Sequence, residues 1–109
     1  MVPPGGVMAD GPIIERIDTD LEELMERFFI NSNEDLVKMQ DALAAKDYET
    51  LTRLGHTAKG TGYGYGFRGM GDIGAELEKS GLASDEVRCV EQVGRMAHYL
   101  ANVKVEFEE

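Results

Sequence analysis

His56 is the residue of this chain whose surroundings best suit chemistry. At neutral pH most of the imidazole of an exposed histidine is uncharged and can act as a nucleophile, a proton carrier or a metal ligand. Lys59 and Gly60 follow His56 at the spacing of one helical turn. The cation and the missing side chain beside the ring indicate a reactive group left open to another macromolecule.

The segment around His56 differs from the rest of the chain in charge and in glycine content. Residues 51–71 contain Arg53, Lys59 and Arg68 but no Asp or Glu. Since the whole chain has a formal charge of −10, the remaining residues carry −13. The same segment holds seven glycines, at positions 55, 60, 62, 64, 66, 69 and 71. Residues 51–71 are therefore the first candidate for the functional site.

Two phosphate-binding motifs fit this segment poorly. Gly64-Tyr65-Gly66-Phe67-Arg68-Gly69 has the spacing of a dinucleotide-binding loop. That loop must follow a buried strand and open a helix, whereas the preceding residues have a helical pattern. Lys59-Gly60-Thr61 resembles the end of a phosphate-binding loop, but Gly and Lys are in the wrong order and the strand is again missing. Both interpretations are rejected.

A helical projection places His56 on the solvent side. With about 100° per residue, the residues within about 60° of His56 share its face. They are Thr52, Arg53, Lys59, Gly60 and Tyr63. The residues on the opposite face, toward the core, are Leu51, Leu54, Ala58 and Tyr65. Close helix packing explains Gly62, which turns toward the core, but not Gly60, which faces outward.

The other reactive side chains have ordinary explanations. His98 lies on the outer side of the last predicted helix without cationic or glycine neighbours, so we interpret it as a surface histidine. Cys89 falls on the inner stripe of that helix and is interpreted as a small core residue. Because the two histidines lie on separate helices without clustered carboxylates, no metal site is expected.

Composition limits the class of protein. A chain of 109 residues suits a single domain, and one Cys excludes an internal disulfide. A pI near 4.6 argues against nonspecific nucleic-acid binding. No apolar run is long enough to span a membrane, and no signal-peptide pattern opens the sequence. We expect a cytoplasmic protein, and a monomer.

Four amphipathic helices must position His56. The first is predicted from Thr19 to about Lys46 on a stripe of Leu21, Leu24, Met25, Phe28, Leu36, Met39 and Leu43. The second helix is predicted to begin at its N-cap, Asp47. The third has Met70, Ile73 and Leu77 on its inner face and is predicted to end at Ser80-Gly81. The fourth is predicted to begin at about Ser84. The inner stripe of the fourth is Cys89, Val90, Val93, Ala97, Leu100 and Val103. Strands are not expected. The predicted fold is all-α, an antiparallel up-down four-helix bundle over residues 13–109, after a flexible tail at residues 1–12.

Ile30 and Val37 lie on the other side of the first predicted helix. They either cover the segment around Ile13 and Ile14 or form an exposed docking patch, and we favour the packed arrangement.

The sequence resembles the histidine-containing phosphotransfer (HPt) domains over about residues 13–105. The residues that carry the resemblance are His56-Thr57-Ala58-Lys59-Gly60-Thr61-Gly62, then Gly66-Phe67, then Met70, Ile73, Leu77 and Glu78. Upstream, Phe28-Phe29, Asp41-Ala42-Leu43 and residues 47–51 stand where the family has a helix and turn. Gly62 and Gly64 make the glycine run denser than is usual in that family.

The resemblance implies a phosphorelay role in two-component signalling. His56 would accept a phosphoryl group from a histidine kinase or a receiver aspartate and pass it to another receiver domain. Lys59, together with Arg53, would neutralise the charge of the phosphoryl group or contact the partner. Gly60 would let the partner approach the ring. Thr52 and Tyr63 would contact the partner at the rim of the interface. The chain would need no cofactor, because the receiver brings Mg²⁺. The rival hypothesis is an acidic helical protein-binding module without covalent transfer. A stand-alone enzyme or kinase is not expected.

Overall fold

Four α-helices form the body of the molecule. The computed structural model describes residues 12–109, so most of the predicted N-terminal tail lies outside the described residues. The helices are α1 (Met25–Ala44), α2 (Tyr48–Tyr65), α3 (Arg68–Leu82) and α4 (Glu86–Asn102). This arrangement confirms the predicted all-α four-helix bundle. None of the helices within residues 12–109 is long and apolar enough to cross a membrane.

Short polar side chains fix where two of the helices begin. The Asp47 carboxylate accepts a hydrogen bond from Thr50 N at 3.1 Å and caps α2, as predicted. It also accepts from the Thr50 hydroxyl, and these two bonds hold the pKa of Asp47 below its usual value. Asp85 caps α4 in the same way through Arg88 N. The Asp47 carboxylate therefore fixes the residue at which α2, the helix that carries His56, begins.

The first predicted helix is divided into two parts. A 3-10 helix spans Thr19–Leu24, and the Asp18 carboxylate accepts from Asp20 N at its start. Because the geometry changes to α-helical only at Met25, Leu24 leaves the buried stripe and is 45% exposed. The prediction of one continuous helical stripe from Thr19 was wrong at this point.

The end of α3 also differs from the prediction. The helix continues through Gly81 to Leu82, and the left-handed residue that follows is Ser84, with φ of 51°. Gly81 is a buried packing position, because a Cβ there would meet the side chain and backbone of Thr52 on α2. Left-handed backbone at a glycine occurs instead at Gly66, which ends α2 with φ of 96°.

The core lies between the four helices. The predicted core residues that are buried include Leu51, Leu54, Ala58, Met70, Ile73, Leu77, Cys89 and Val93. Phe28 of α1 stacks on Phe67, the residue before α3, with ring centroids 4.4 Å apart. Val90, predicted for the inner stripe of α4, is instead 51% exposed. The packing thus confirms the inner faces of α2 and α3 and corrects the prediction for α4 at Val90.

A two-stranded parallel sheet joins the two ends of the described chain, which corrects the expectation that strands are absent. The strands are β1 (Ile13–Asp18) and β2 (Val103–Glu108), with Ile13 opposite Val103. Val103 therefore belongs to a strand and not to the stripe of α4. Glu15 of β1 accepts hydrogen bonds from Gly69 N at 2.8 Å and from the Tyr99 hydroxyl at 2.7 Å. The sheet thereby holds β1 against the N-terminus of α3 and against α4.

The predicted packing of Ile30 and Val37 was wrong. These side chains of α1 are 48% and 54% exposed, and the segment around Ile13 pairs with β2 instead of covering them. In β1 the side chain of Ile17 is fully buried in the core, and it packs against Gly66. The N-terminal segment therefore contacts the turn between α2 and α3.

Glycines bring α2 and α3 into backbone contact. A Cβ at Gly55 of α2 would lie 2.5 Å from Glu78 N, and a Cβ at Gly74 of α3 would lie 2.5 Å from Lys59 N. A Cβ at Gly62 would lie 2.5 Å from Gly71 N, which confirms the packing role predicted for Gly62. Backbones this close leave no room for any side chain at these positions. As a result, α3 presents Glu78 directly beside the outer face of α2.

Candidate functional site

His56 lies on the exposed side of α2, as the helical projection predicts. Its side chain is 68% exposed, and its Nδ1 atom is 2.8 Å from Oε2 of Glu78 on α3. The ring is thus held at one nitrogen by the neighbouring helix while most of its surface remains open to solvent.

The Glu78 carboxylate joins His56 to Lys59. Lys59 Nζ donates a hydrogen bond of 2.7 Å to Oε1, the second carboxylate oxygen of Glu78. The hydrogen bond from Lys59, followed by that from His56, holds the pKa of Glu78 below its usual value. Glu78 is therefore ionised at neutral pH, and a single carboxylate carries a cation on one oxygen and the imidazole on the other.

The ionised carboxylate determines the tautomer of His56. A carboxylate without a proton can only accept hydrogen bonds, so the bond between His56 and Glu78 requires a proton on Nδ1. In the neutral imidazole the proton on Nδ1 leaves Nε2 with a free lone pair. The contact with Glu78 thereby leaves Nε2 as the ring nitrogen whose lone pair is available.

Gly60 and Arg53 lie beside the ring at the predicted positions. A Cβ built at Gly60 would have no heavy atom within 4 Å, so this part of the α2 surface is open. Arg53 is exposed and lines a shallow depression that it shares with His56, Glu78 and Leu82. The structure thus brings His56, Lys59, Gly60 and Arg53 to one surface.

Thr52 and Tyr63 share the outer half of α2, but each has a partner within the domain. The Thr52 hydroxyl donates to the Tyr48 carbonyl at 2.7 Å, and the residue is half-buried against Gly81. The Tyr63 hydroxyl donates to Asp72 of α3 at 2.5 Å, and this bond raises the pKa of Tyr63. Both hydroxyls donate their hydrogen bonds away from His56, Glu78 and Lys59, although Thr52 lines the same depression as His56 and Glu78. Their role as partner contacts stays a prediction.

Glu78 is the residue that reasoning from charge and helical periodicity missed. It lies outside residues 51–71, and the pairing arises only because α3 folds back on α2. The positive charge expected for residues 51–71 is accordingly reduced, since Lys59 is paired with Glu78. The available signal was the family resemblance, in which Glu78 is among the matching positions.

The remaining reactive side chains stand apart from this site. His98 Nδ1 is 3.3 Å from the Asn102 amide on its own helix. Cys89 is fully buried, and burial raises the pKa of its thiol. Within residues 12–109 no group of three or more His, Cys, Asp or Glu side chains could hold a metal ion.

Comparison with known families agrees with the resemblance and with the geometry. The sequence model of the Hpt domain family matches residues 23–105. The chain belongs to the Hpt domain family. Neither the curated proteins nor the solved structures include a significant match to it. Membership makes this Hpt domain a histidine phosphotransfer module of two-component signalling.

Proposed function

We propose that His56 of this Hpt domain carries the phosphoryl group on Nε2, between a histidine kinase or a receiver aspartate and a further receiver domain. The observation that carries the proposal is the 2.8 Å contact between His56 Nδ1 and Glu78. This contact holds the ring through Nδ1, which does not react, and leaves the reactive lone pair on Nε2.

The transfer step follows from this hydrogen bond. The Nε2 lone pair attacks phosphorus, an N–P bond forms, and the bond between phosphorus and the donor oxygen breaks. The donor carboxylate of an aspartyl phosphate, or ADP when the kinase supplies ATP, leaves with the electron pair. The ring retains its Nδ1 proton and becomes positively charged. The Glu78 carboxylate stabilises this charge through the hydrogen bond it already accepts.

Lys59 acts in this mechanism through Glu78. Its ammonium group lies on the opposite carboxylate oxygen from His56, so it fixes the orientation of the carboxylate. Lys59 is therefore a positioning residue for the imidazole. Because Lys59 is paired with Glu78, Arg53 is the cation that we expect to contact the incoming phosphoryl group. Gly60 leaves the α2 surface beside the ring open to the partner.

The partner supplies the charge stabilisation and the in-line positioning that the exposed imidazole lacks. In-line phosphoryl transfer needs positioning and charge stabilisation, which a receiver domain provides with Mg²⁺ and its acidic pocket. We propose that this chain is a phosphocarrier without its own nucleotide site, that it acts as a monomer, and that it works in the cytoplasm with its kinase and receiver.

Phosphorylation of a single histidine variant tests the proposal. We expect phosphoramidate, a small phosphodonor for imidazoles, and a phosphorylated receiver domain both to label the wild-type protein. The phosphate should be acid-labile and alkali-stable. His56→Gln should keep the helical circular dichroism spectrum and lose all label, because amide nitrogen is not a nucleophile.

His98→Gln is the matched control and should label like the wild type. Label that persists in His56→Gln and disappears in His98→Gln would overturn the assignment. A wild-type protein that binds receiver domains without acquiring phosphate would instead support the non-covalent binding module.

A further inference from the structure

The outer edge of β2 is a surface that the proposed function does not use. Within residues 12–109 the sheet has two strands, so one edge of β2 pairs with β1 and the other edge has no partner strand. Every second residue of β2 directs its backbone N–H and C=O groups to that outer edge. Because unpaired strand edges are templates for pairing with another chain, this edge is a candidate binding surface for an extended strand.

One face of β2 is apolar and extends beyond the helical bundle. Val103, Val105 and Phe107 alternate along the strand and therefore share this face. Val103 and Val105 pack against the core, whereas Phe107 is 40% exposed. The apolar face thus ends in an aromatic ring that the described part of the chain covers only in part.

The other face of β2 carries two charges of opposite sign. Lys104 and Glu106 are both exposed and are separated by one residue. Glu106 lies 3.9 Å from Arg16 of β1, whereas Lys104 forms no salt bridge within residues 12–109. The charge of Lys104 is therefore available to a carboxylate that approaches from the outer edge.

This order of side chains is complementary to itself in one antiparallel register. When Val105 lies opposite Val105 of a second copy, Lys104 of each copy lies opposite Glu106 of the other, and Val103 lies opposite Phe107. Opposite charges and pairs of aromatic and β-branched residues stabilise antiparallel strands when they lie directly across the ladder. A slip of two residues places Glu106 opposite Glu106, or Lys104 opposite Lys104, so the charges select a single register.

The pattern differs from that of a protected edge. Strand edges that resist self-association carry Pro or charges that repel a copy of the same strand. The segment from Val103 to Glu108 contains no Pro, and its Lys104 and Glu106 attract a copy in the antiparallel register. The charge complementarity therefore favours a second copy of this chain as the occupant of the edge.

We propose that two copies of this chain associate by antiparallel pairing of their β2 strands, in the register centred on Val105. The two sheets become one sheet of four strands, in the order β1-β2-β2-β1. The contact is short, and small interfaces are typical of weak complexes, so monomer and dimer are in equilibrium. Phosphoryl transfer needs only the monomer, and β2 contributes no residue to the site of His56. The inference is therefore independent of the proposed function.

Charge reversal at the two positions tests both the dimer and its register. We expect sedimentation equilibrium between about 10 μM and about 1 mM to show reversible dimerisation of the wild type. Lys104→Glu and Glu106→Lys each place like charges opposite one another twice, and each should weaken dimerisation about tenfold or more. An equimolar mixture of these two variants has opposite charges at both pairs. Dimerisation should therefore return in the mixture as a heterodimer, detected with a fluorescent label on one variant.

Lys38→Glu is the matched control, because it makes the same change of charge at an exposed position of α1. It should dimerise like the wild type, and all three variants should keep the helical circular dichroism spectrum. A wild-type chain that stays monomeric throughout this range would overturn the inference. Equal weakening by Lys38→Glu would overturn it as well, since the effect would then be one of net charge. Absence of the heterodimer in the mixture would overturn the proposed register.

Discussion

The two sides of α2 use the same residue type for opposite purposes. On the side that faces α3, glycine removes side chains so that two backbones of one chain can touch, and a Cβ at Gly55 would lie 2.5 Å from Glu78 N. On the outward side, glycine at positions 60 and 64 leaves space that no described residue fills. The closed side determines where Glu78 lies, and the open side leaves His56 and the α2 surface beside it exposed to solvent.

This difference shows that the glycines within α2 form two patterns superposed on one helix. Gly55 and Gly62 are seven residues apart and return to the same face after two turns. Gly60 and Gly64 are offset from them by about half a turn. Composition alone would predict a flexible segment, whereas Gly55, Gly60, Gly62 and Gly64 all lie within the continuous helix α2.

Alanine substitutions on the two sides should change stability in opposite directions. We expect Gly55→Ala to lower the free energy of unfolding by about 1–3 kcal/mol, because the new methyl group meets only backbone atoms of α3 that cannot rotate away. Gly60→Ala should raise it by about 0.5–1 kcal/mol, because alanine favours the helix and has space. Urea unfolding measures both values. Destabilisation by both variants would remove the distinction between the sides.

Glu78→Gln should show that the contact between α2 and α3, which places Glu78, controls the reactivity of His56 on the open side of α2. The amide keeps the size of the side chain but loses the negative charge that, in the proposed mechanism, stabilises the phosphorylated ring. We expect phosphoramidate labelling of His56 to slow by about tenfold, as for loss of one charge-assisted hydrogen bond. The ¹⁵N chemical shifts of His56 should also show a mixture of tautomers in place of the Nδ1-protonated form.

Glu76→Gln is the control for this prediction. Glu76 lies on the same helix and pairs with Lys79 at 3.6 Å on the surface, away from His56. It should leave labelling and tautomer unchanged. An equal loss in both variants would indicate a general effect of charge and would remove Glu78 from the mechanism.

The pH dependence of stability should reveal the same carboxylate with a smaller effect. The pKa of Glu78 is lowered by folding, so the folded state binds its proton more weakly than the unfolded state. The stabilisation is complete above the usual glutamate pKa of about 4.3 and is lost as pH falls through the lower folded value. We expect the stability difference between wild type and Glu78→Gln to shrink in that acidic range. A difference that is constant from neutral pH into strong acid would contradict the ionised pair.

Much of this architecture follows from local patterns. Helical periodicity located four helices, the buried residues Leu51 and Leu77, and the exposed side of His56, because each depends on spacing within one element. The start of α2 followed from Asp47, whose short carboxylate reaches the backbone of its own first turn.

What the patterns missed depends on contacts between distant residues. Glu78 reaches His56 only after α3 has packed against α2, so rotation around a single helix could not find it. Residues 103–108 alternate apolar and polar side chains, but their partner strand lies at the other end of the described chain. Because the two strands are not joined by a hairpin turn, no local sequence signal predicts that they pair. The helical projection predicts that Tyr63 lies on the exposed side of α2, which the structure confirms, but it could not predict the hydrogen bond from its hydroxyl to Asp72 of α3.

The parallel pairing of β1 with β2 has a consequence for the order of folding. The contacts between α2 and α3 join neighbouring segments, whereas the two strands close almost the entire described chain into one loop. Closing a long loop costs more entropy than closing a short turn, so local pairs form sooner and distant pairs later. The helical hairpin with His56 and Glu78 should therefore assemble early, and the strand pair should add its stabilisation last and separate first as the protein unfolds.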